Sequence, residues 1–362
     1  MTTEQKIQAL KQNTVEVLTQ DDLTNLFDTN PHPIGYIGVE PSGLFHVGWM
    51  IWVKKFKQLI DSGIEMTFLE ATWHGKINEK LGGNIDSIRK CGQYFEQCLK
   101  ALGVPMEKVH IESADNLMDK LDYWEIVINV ASHMSLSRVK RAMSIMGRRQ
   151  DESDVDLAKC MYPALQVADI YAMDLDVALG GLDQRRAHVL AREIAPKLGF
   201  KKPVAIHTPL LAGLTGKGRM DMSMEGELEE DIAAEIKMSK SKPETCIFLH
   251  DSPQDIERKI GNSFCPAKEI EYNPIIEIAT RILFPELGTF HISRPEKFGG
   301  PIDFNSPQKL IETYKEGLHP ADLKKGVSNG LIKLLEPVRN HFEKNKEANE
   351  LYEYMKTITV TR

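Results

Sequence analysis

The sequence predicts an α/β protein, a doubly wound parallel sheet with a helical C-terminal domain behind it. Short apolar runs at 34–40 and 66–71 flank a helical stretch that stops at Gly63, and strand–helix–strand order of this kind closes as a right-handed crossover between parallel strands. Further runs at 109–111, 175–179 and 204–207 extend the sheet. From Ser252 onward the texture changes. Ser252-Pro253, Asn273-Pro274, Ser306-Pro307 and His319-Pro320 each couple a capping side chain to a proline suited to the first helical position. The expected division is 1–250 for the sheet domain, interrupted by an insertion at about 75–155, and 251–362 for the helical domain.

Charge and composition narrow the classes of function. Lys and Arg total 45 against 52 Asp and Glu, a net charge of −7. A protein that coats nucleic acid is normally basic, so any RNA contact is expected to be local. The cysteines, Cys91, Cys98, Cys160, Cys246 and Cys265, are odd in number and show no CxxC spacing, which points to reduced thiols and away from a disulfide framework or a zinc site. Met-Thr-Thr-Glu-Gln-Lys carries no apolar signal region, and no apolar run approaches a membrane span. A soluble cytoplasmic protein with no membrane partner is expected.

Residues 4–27 are polar with apolar positions at helical spacing and are expected as helices outside the sheet. The strand at 34–40 runs into Pro41-Ser42-Gly43-Leu44-Phe45-His46-Val47-Gly48-Trp49, a strand-to-helix turn. A helix beginning near His46 offers free N–H groups to phosphate, and Gly48 in its first turn lets a bulky ligand approach the backbone. Ligands of such sheets bind outside the carboxyl ends of the strands. Those ends are Tyr36 to Glu40 and Glu70 to His74, so Thr72, Trp73 and His74 are candidates for a pocket rim, with Trp73 equally suited to covering the core. Helices are expected at 85–102 and over 123–146. The second set ends in Arg138, Lys140, Arg141, Arg148 and Arg149, either a solvated face or a local contact to RNA phosphates.

An exposed acidic linker is expected at 150–156, followed by Tyr162-Pro163-Ala164-Leu165-Gln166-Val167-Ala168-Asp169. With Pro163 in the first turn of a helix, Tyr162, Gln166 and Asp169 fall at i, i+4 and i+7 on one face. Three polar groups aligned among apolar neighbours suit a buried ligand with several polar ends. After the strand at 175–179, Gly180 and Gly181 permit close backbone approach, and Asp183 is placed either to cap the next helix, which ends near Gly199, or to touch a ligand. The acidic stretch 221–235 reads as an exposed insertion.

It precedes Lys237-Met238-Ser239-Lys240-Ser241, continued by Lys242 and closed by Pro243. Lysines among small hydroxyls in a loop suit an extended polyanion such as a triphosphate. This run and the His46-Val47-Gly48-Trp49 turn together resemble the two signatures of class I aminoacyl-tRNA synthetases, Lys-Met-Ser-Lys-Ser and His-x-Gly-His, which implies a Rossmann-like catalytic domain. Tyr-Pro-x-x-Gln-x-x-Asp from Tyr162, then Gly-Gly-x-Asp-Gln-Arg from Gly180, with Tyr36 in the first strand, narrows the resemblance to tyrosyl-tRNA synthetases of the archaeal and eukaryotic branch. The resemblance runs over nearly the whole chain.

It implies activation of L-tyrosine with ATP to tyrosyl-adenylate and pyrophosphate, then transfer to the 3′ end of tRNA(Tyr). By motif, Tyr36 and Asp169 would bind the phenolic hydroxyl, and Tyr162, Gln166 and Gln184 the ammonium group and ring. ATP would lie on Gly38, Glu40, Gly43, His46, Gly48, Gly181, Asp183, Met238, Ser239 and Lys240. His46, Lys237 and Lys240 would stabilise charge at the α-phosphate, with Mg²⁺ arriving on ATP and no metal held by the protein. For tRNA, Arg141 and Arg185 match positions near the first base pair, while Phe298 would stack on the first anticodon base and Asp322 bond its edge. The insertion implies a homodimer. One departure stands out, Trp49 in place of the second signature histidine. A tryptophanyl enzyme shares fold and signatures, but the Gln-x-x-Asp helix and the Gly-Gly-x-Asp-Gln-Arg turn speak against it. A silent RNA-binding relative would not need His46, Lys237 and Lys240.

Overall fold

The computed structural model describes residues 1–147, 156–216 and 236–358. Arg148, Arg149, the linker residues 150–155 and the acidic stretch 221–235 lie outside the described residues. Two compact units are formed, one by 1–43, 55–209 and 351–362, the other by 44–54 and 210–350.

The first unit opens with α1 (Thr3–Lys11), β1 (Glu16–Leu18), α2 (Gln20–Thr29) and β2 (Ile34–Val39). After α3 (Met50–Asp61) come β3 (Glu65–Glu70), α4 (Thr72–Ile77), α5 (Ile85–Ala101), β4 (Val109–Ser113), α6 (Ala114–Met118), α7 (Leu121–Ser132) and α8 (Leu136–Ala142). Then follow α9 (Leu157–Ala172), β5 (Val177–Gly181), α10 (Arg185–Leu198) and β6 (Val204–Thr208). The strands form one sheet in the order β1-β6-β5-β2-β3-β4, parallel except where β1 runs against β6. Every residue of β6 and nearly all of β5 is buried, as the continuous apolar runs of a parallel sheet covered on both faces require. The expected strands are thus present as β2 to β6.

β1 is a difference. The stretch 4–27 was expected to be helical throughout, but Glu16–Leu18 pairs with β6, Val17 opposite Ile206. Three residues are too few to show a two-residue alternation in sequence. A second difference concerns Pro163. The helix that carries it starts six residues earlier, at Leu157, where the Asp156 carboxylate accepts from the Lys159 amide at 2.8 Å. Pro163 is therefore interior, and Tyr162, Gln166 and Asp169 still share a face.

Strand order reverses between β2 and β5. A crevice at the carboxyl ends of these two strands is the usual binding place in such sheets, and Glu40 and Gln184 stand just beyond those two ends. Tyr36, Leu69, Val127, Val130, Leu165 and Ile170 belong to one buried cluster that binds α7 and α9 to the sheet.

In the second unit the helices Pro253–Gly261, Pro274–Ile278, Pro307–Glu316 and Pro320–Lys344 all start as the sequence predicts. Ser252, Asn273, Ser306 and His319 each accept a hydrogen bond from the first turn they cap. A two-stranded ribbon, Phe290–Ile292 against Ile302–Phe304, lies among them. Gly326 of the longest helix faces it so closely that a Cβ there would sit 2.9 Å from Ile292 Cγ1. No described helix is long and apolar enough to cross a membrane.

Candidate active site

Two side-chain clusters gather most of the expected site residues, one in each unit. In the first, the two-residue period of β2 puts Tyr36 and Gly38 on one face, and a Cβ at Gly38 would lie 3.3 Å from the Tyr36 ring. The absent side chain leaves that ring uncovered by its own strand. Asp169 from α9 is 2 % exposed, as are Tyr36 and His74. Its carboxylate accepts from Tyr123 Oη at 2.8 Å, and His74 Nε2 lies 3.2 Å from the other oxygen, out of line for a hydrogen bond. Burial pushes the Asp169 carboxyl up to about 7, against the pull of the Tyr123 hydroxyl. Burial likewise pushes His74 down to about 4. The Tyr36 phenol is raised by burial first and by the Asp169 charge second, with a bond to Gln166 opposing. Burial thus disfavours the charged form of each of these three groups.

The opposite end is amide and carboxylate. Gln166 Nε2 donates to Gln184 Oε1 at 3.1 Å, and Gln184 Nε2 donates to the Ile145 carbonyl at 3.2 Å. Gln166 Oε1 is buried with no hydrogen-bond partner among the described residues, so an acceptor is left for a ligand's N–H. Tyr162 Oη donates to Glu40 Oε1 at 2.5 Å, and Asn78 Nδ2 lies 3.1 Å from both Glu40 oxygens. Glu40, one residue beyond β2, is therefore fixed from two elements. Gly43, at φ +116°, takes a backbone conformation that favours glycine, and its amide donates to Cys91 Sγ at 3.3 Å. Gly181 ends β5. Asp183 lies in the turn Leu182–Gln184, and neither that turn nor α10 takes a side-chain cap. The capping role open to Asp183 in the sequence is not used.

The second cluster joins the two signatures across about two hundred residues of chain. Phe45 to Val47 pairs with Ile247 to Leu249: Val47 donates its amide to the Ile247 carbonyl at 2.9 Å, and Leu249 to the Phe45 carbonyl at 3.0 Å. Lys237 pairs with Ala212, and Met238 donates its amide to the Leu211 carbonyl at 2.7 Å. Gly48 completes the frame, since a Cβ there would press on the His46 ring at 3.0 Å and on Leu211 Cβ at 3.4 Å. His46 is 5 % exposed and its Nδ1 has no hydrogen-bond partner among the described residues. Burial, then Lys240, then Lys237, hold it well below the ordinary histidine range. The imidazole is neutral beside two ammonium groups. Lys240 Nζ stands 3.9 Å from the centre of the Trp49 ring, and Ser239 Oγ lies 3.0 Å from Ser241 Oγ.

The remaining expected residues are dispersed. Arg141 is exposed at the end of α8, where its carbonyl accepts from Arg186. Arg185 holds Glu16 with two bonds, 2.8 and 3.0 Å, so an approaching phosphate competes with a carboxylate there. Phe298 is 58 % exposed with Lys297 Nζ 4.9 Å from its ring centre, and Asp322 lies in the first turn of Pro320–Lys344. Tyr123 and Asn78 belong to the first cluster and were not singled out in the sequence. A tyrosine in an apolar helix reads as core, and only the contact to Asp169, 46 residues away, gives it a role.

A family model described as tRNA synthetases class I (W and Y) matches residues 29–336. The chain is 49% identical to the tyrosine–tRNA ligase of Aeropyrum pernix over 338 residues, 93% of this chain and 92% of that protein. It is 49% identical to the tyrosine–tRNA ligase of Saccharolobus solfataricus over 352 residues, 97% of this chain and 96% of the other. The crystal structure of the tyrosyl-tRNA synthetase of Pyrococcus horikoshii, complexed with L-tyrosine, superposes with a TM-score of 0.90 at 38% identity, covering 99% of this chain and all of that one.

Proposed function

Because the chain belongs to the class I tyrosyl-tRNA synthetases of archaeal type and is an ATP-dependent tyrosine–tRNA ligase, we propose that its first cluster reads tyrosine and its second acts on ATP. The observation that carries this reading is the buried Asp169, bonded by Tyr123 and electrostatically coupled to Tyr36. A ligand hydroxyl gives the buried Asp169 carboxylate and Tyr36 phenol a further partner that phenylalanine cannot supply, a contrast for which tyrosine enzymes are the standard illustration. Gln166 and Gln184 would take the ammonium group, with Tyr162 bordering the ring while its hydroxyl steadies Glu40. Gly38, Glu40, Gly43, Gly181 and Asp183 line the strand ends where a nucleotide would lie.

The first step is in-line attack of the tyrosine carboxylate on the α-phosphate. A new C–O–P link forms, the bond to the pyrophosphate oxygen breaks, and no proton need move. Catalysis is then positioning and charge stabilisation. Lys237 and Lys240 would supply positive charge, neutral His46 a hydrogen-bond donor, and Ser239 and Gly48 hydroxyl and backbone contacts, while Met238, its amide already given to the Leu211 carbonyl, would border the nucleotide. Mg²⁺ enters with ATP on the pyrophosphate oxygens. The experiment is ATP–pyrophosphate exchange with tyrosine, tryptophan and phenylalanine in parallel. Exchange with tyrosine alone is expected, and exchange driven equally by phenylalanine would sink the assignment of the first cluster.

The helical segment 251–362 would read the anticodon, with Phe298 stacking on the first base and Asp322 bonding its edge, while Arg141 and Arg185 would meet the acceptor end. Stacking of a base on an aromatic ring is worth about 1–3 kcal/mol. Phe298→Ala is therefore expected to lower kcat/KM for tRNA in aminoacylation about 5- to 150-fold and to leave pyrophosphate exchange untouched; a parallel loss of exchange would refute an anticodon role.

A homodimer through the insertion is supported by an apolar face. Leu121 is 74 % exposed, Ile128 67 % and Leu136 63 %, with Trp124 between them at 36 %. Positions 121, 124 and 128 fall at i, i+3 and i+7 on α7, one stripe that the described residues leave uncovered. Ile128→Asp is expected to give a monomer in light scattering where the parent is a dimer. A cytoplasmic setting completes the proposal.

A further inference from the structure

We propose that Trp49 is a positioning residue for Lys240, its indole face serving as a seat that holds the ammonium group beside His46. The inference rests on the reading of this cluster as the phosphate-handling site. Position 49 is where the signature departs from its usual second histidine, and the structure gives the replacement something to do. Lys240 Nζ lies 3.9 Å from the Trp49 ring centre, and the His46 and Trp49 ring centres are 4.9 Å apart. Lysine and imidazole thus share one indole.

The seat is itself held. Phe45, fully buried, meets Trp49 edge-on at 4.9 Å and 88°, and Trp52 lies 6.4 Å away. Phe45 and Val47 are strapped to the segment 247–249 by the two backbone hydrogen bonds already described. The ring therefore cannot follow the lysine; the lysine must come to the ring. Lys240 is 8 % exposed, and a cation over an indole attracts most strongly where water is excluded. A flexible four-carbon side chain ordered before ATP arrives has less rotamer entropy left to lose in the reaction. A histidine at 49 would work the other way. Once protonated it would add a third positive charge next to Lys237 and Lys240, whereas the neutral indole draws Lys240 in without adding charge.

The test is tyrosine-dependent ATP–pyrophosphate exchange on the full chain, with Trp49→Ala, Trp49→Phe, Lys240→Ala and the Trp49→Ala/Lys240→Ala double variant. Trp49→Ala is expected to lower kcat/KM for ATP about 5- to 30-fold, the range of a desolvated cation–π contact, with KM for tyrosine unchanged. Trp49→Phe, which keeps an aromatic face, should recover part of the loss. In the Lys240→Ala background, Trp49→Ala should cost nothing more, because the partner is already gone. Additive losses, or a Trp49→Ala variant with wild-type exchange, would overturn the proposal. Wild-type exchange in Lys240→Ala would instead overturn the reading of the cluster, and the seat with it. A readout independent of activity covers a variant that folds poorly: Lys240→Ala should change tryptophan emission, and the change should vanish in the Trp49→Phe background. A change that persists there arises elsewhere and counts against the contact.

Discussion

Asp169→Asn is expected to lower kcat/KM for tyrosine about 10- to 100-fold, the worth of a buried hydrogen bond to a charged group, and to leave that for phenylalanine within a few-fold. Asparagine has the same shape, so the loss reports chemistry more than packing. The substrate hydroxyl would meet a neutral amide where an ionised carboxylate had stood. The carboxyl, pushed up to about 7 by burial, adds a pH signature. Its folded proton affinity exceeds its unfolded one, so between about pH 4 and pH 7 the folded state holds a proton that the unfolded state has released. Stability from this group is present below that window and falls as pH rises through it, by on the order of 4 kcal/mol at most. The variant cannot titrate there. Its thermal midpoint is expected to move above that of the parent at pH 8 and to fall back toward it at pH 5. Activity should run the opposite way, since the ionised carboxylate accepts from the substrate hydroxyl more strongly than a protonated carboxyl does: kcat/KM for tyrosine should show a limb near pH 7 that Asp169→Asn abolishes. A gap in midpoint that is equal at both pH values would show that Asp169 is ionised without penalty.

The strands, the four proline-started helices and the alignment of Tyr162, Gln166 and Asp169 were legible because each depends on local spacing. Pro163 misplaced the start of its helix, since proline at a first turn and proline inside a helix leave the same residues around it, and the cap at Asp156 lies within an acidic run that reads as linker. β1 was illegible because three edge residues carry no period. Tyr123 and Asn78 escaped for another reason: their partners, Asp169 and Glu40, lie 46 and 38 residues away, and nothing local marks a buried tyrosine or asparagine as a ligand-shell residue. One of the four crossings between the compact units falls between Lys54 and Lys55, inside one continuous helix. No change of composition announces it. The signature turn belongs to the later part of the chain by its hydrogen bonds with 247–249, a pairing that sequence separation conceals.

Lys240→Ala and Lys237→Ala are each expected to cut kcat for tyrosine activation about 100- to 1,000-fold, the usual cost of removing one preorganised donor to charge that develops in the transition state. Tyrosine affinity, set in the other cluster, should change less than about two-fold. The histidine then serves as an internal meter. Lys240 and Lys237 both press His46 downward, after burial, so removing either positive charge makes the imidazole easier to protonate. At saturating tyrosine, residual kcat in the lysine variants should therefore turn down on the acid side sooner than that of the parent. His46→Asn keeps a neutral donor and should retain more activity than His46→Ala at pH 7.5, because the parent imidazole is neutral there as well. If His46→Asn were as inactive as His46→Ala while a protonated histidine was required, the parent rate would climb on acidification, and a pH profile of exchange from 5.5 to 8 separates the two cases directly. A parent kcat that stays flat across that range at saturating tyrosine, with Asn tolerated at 46, fixes the lysines as the charge and the histidine as the donor.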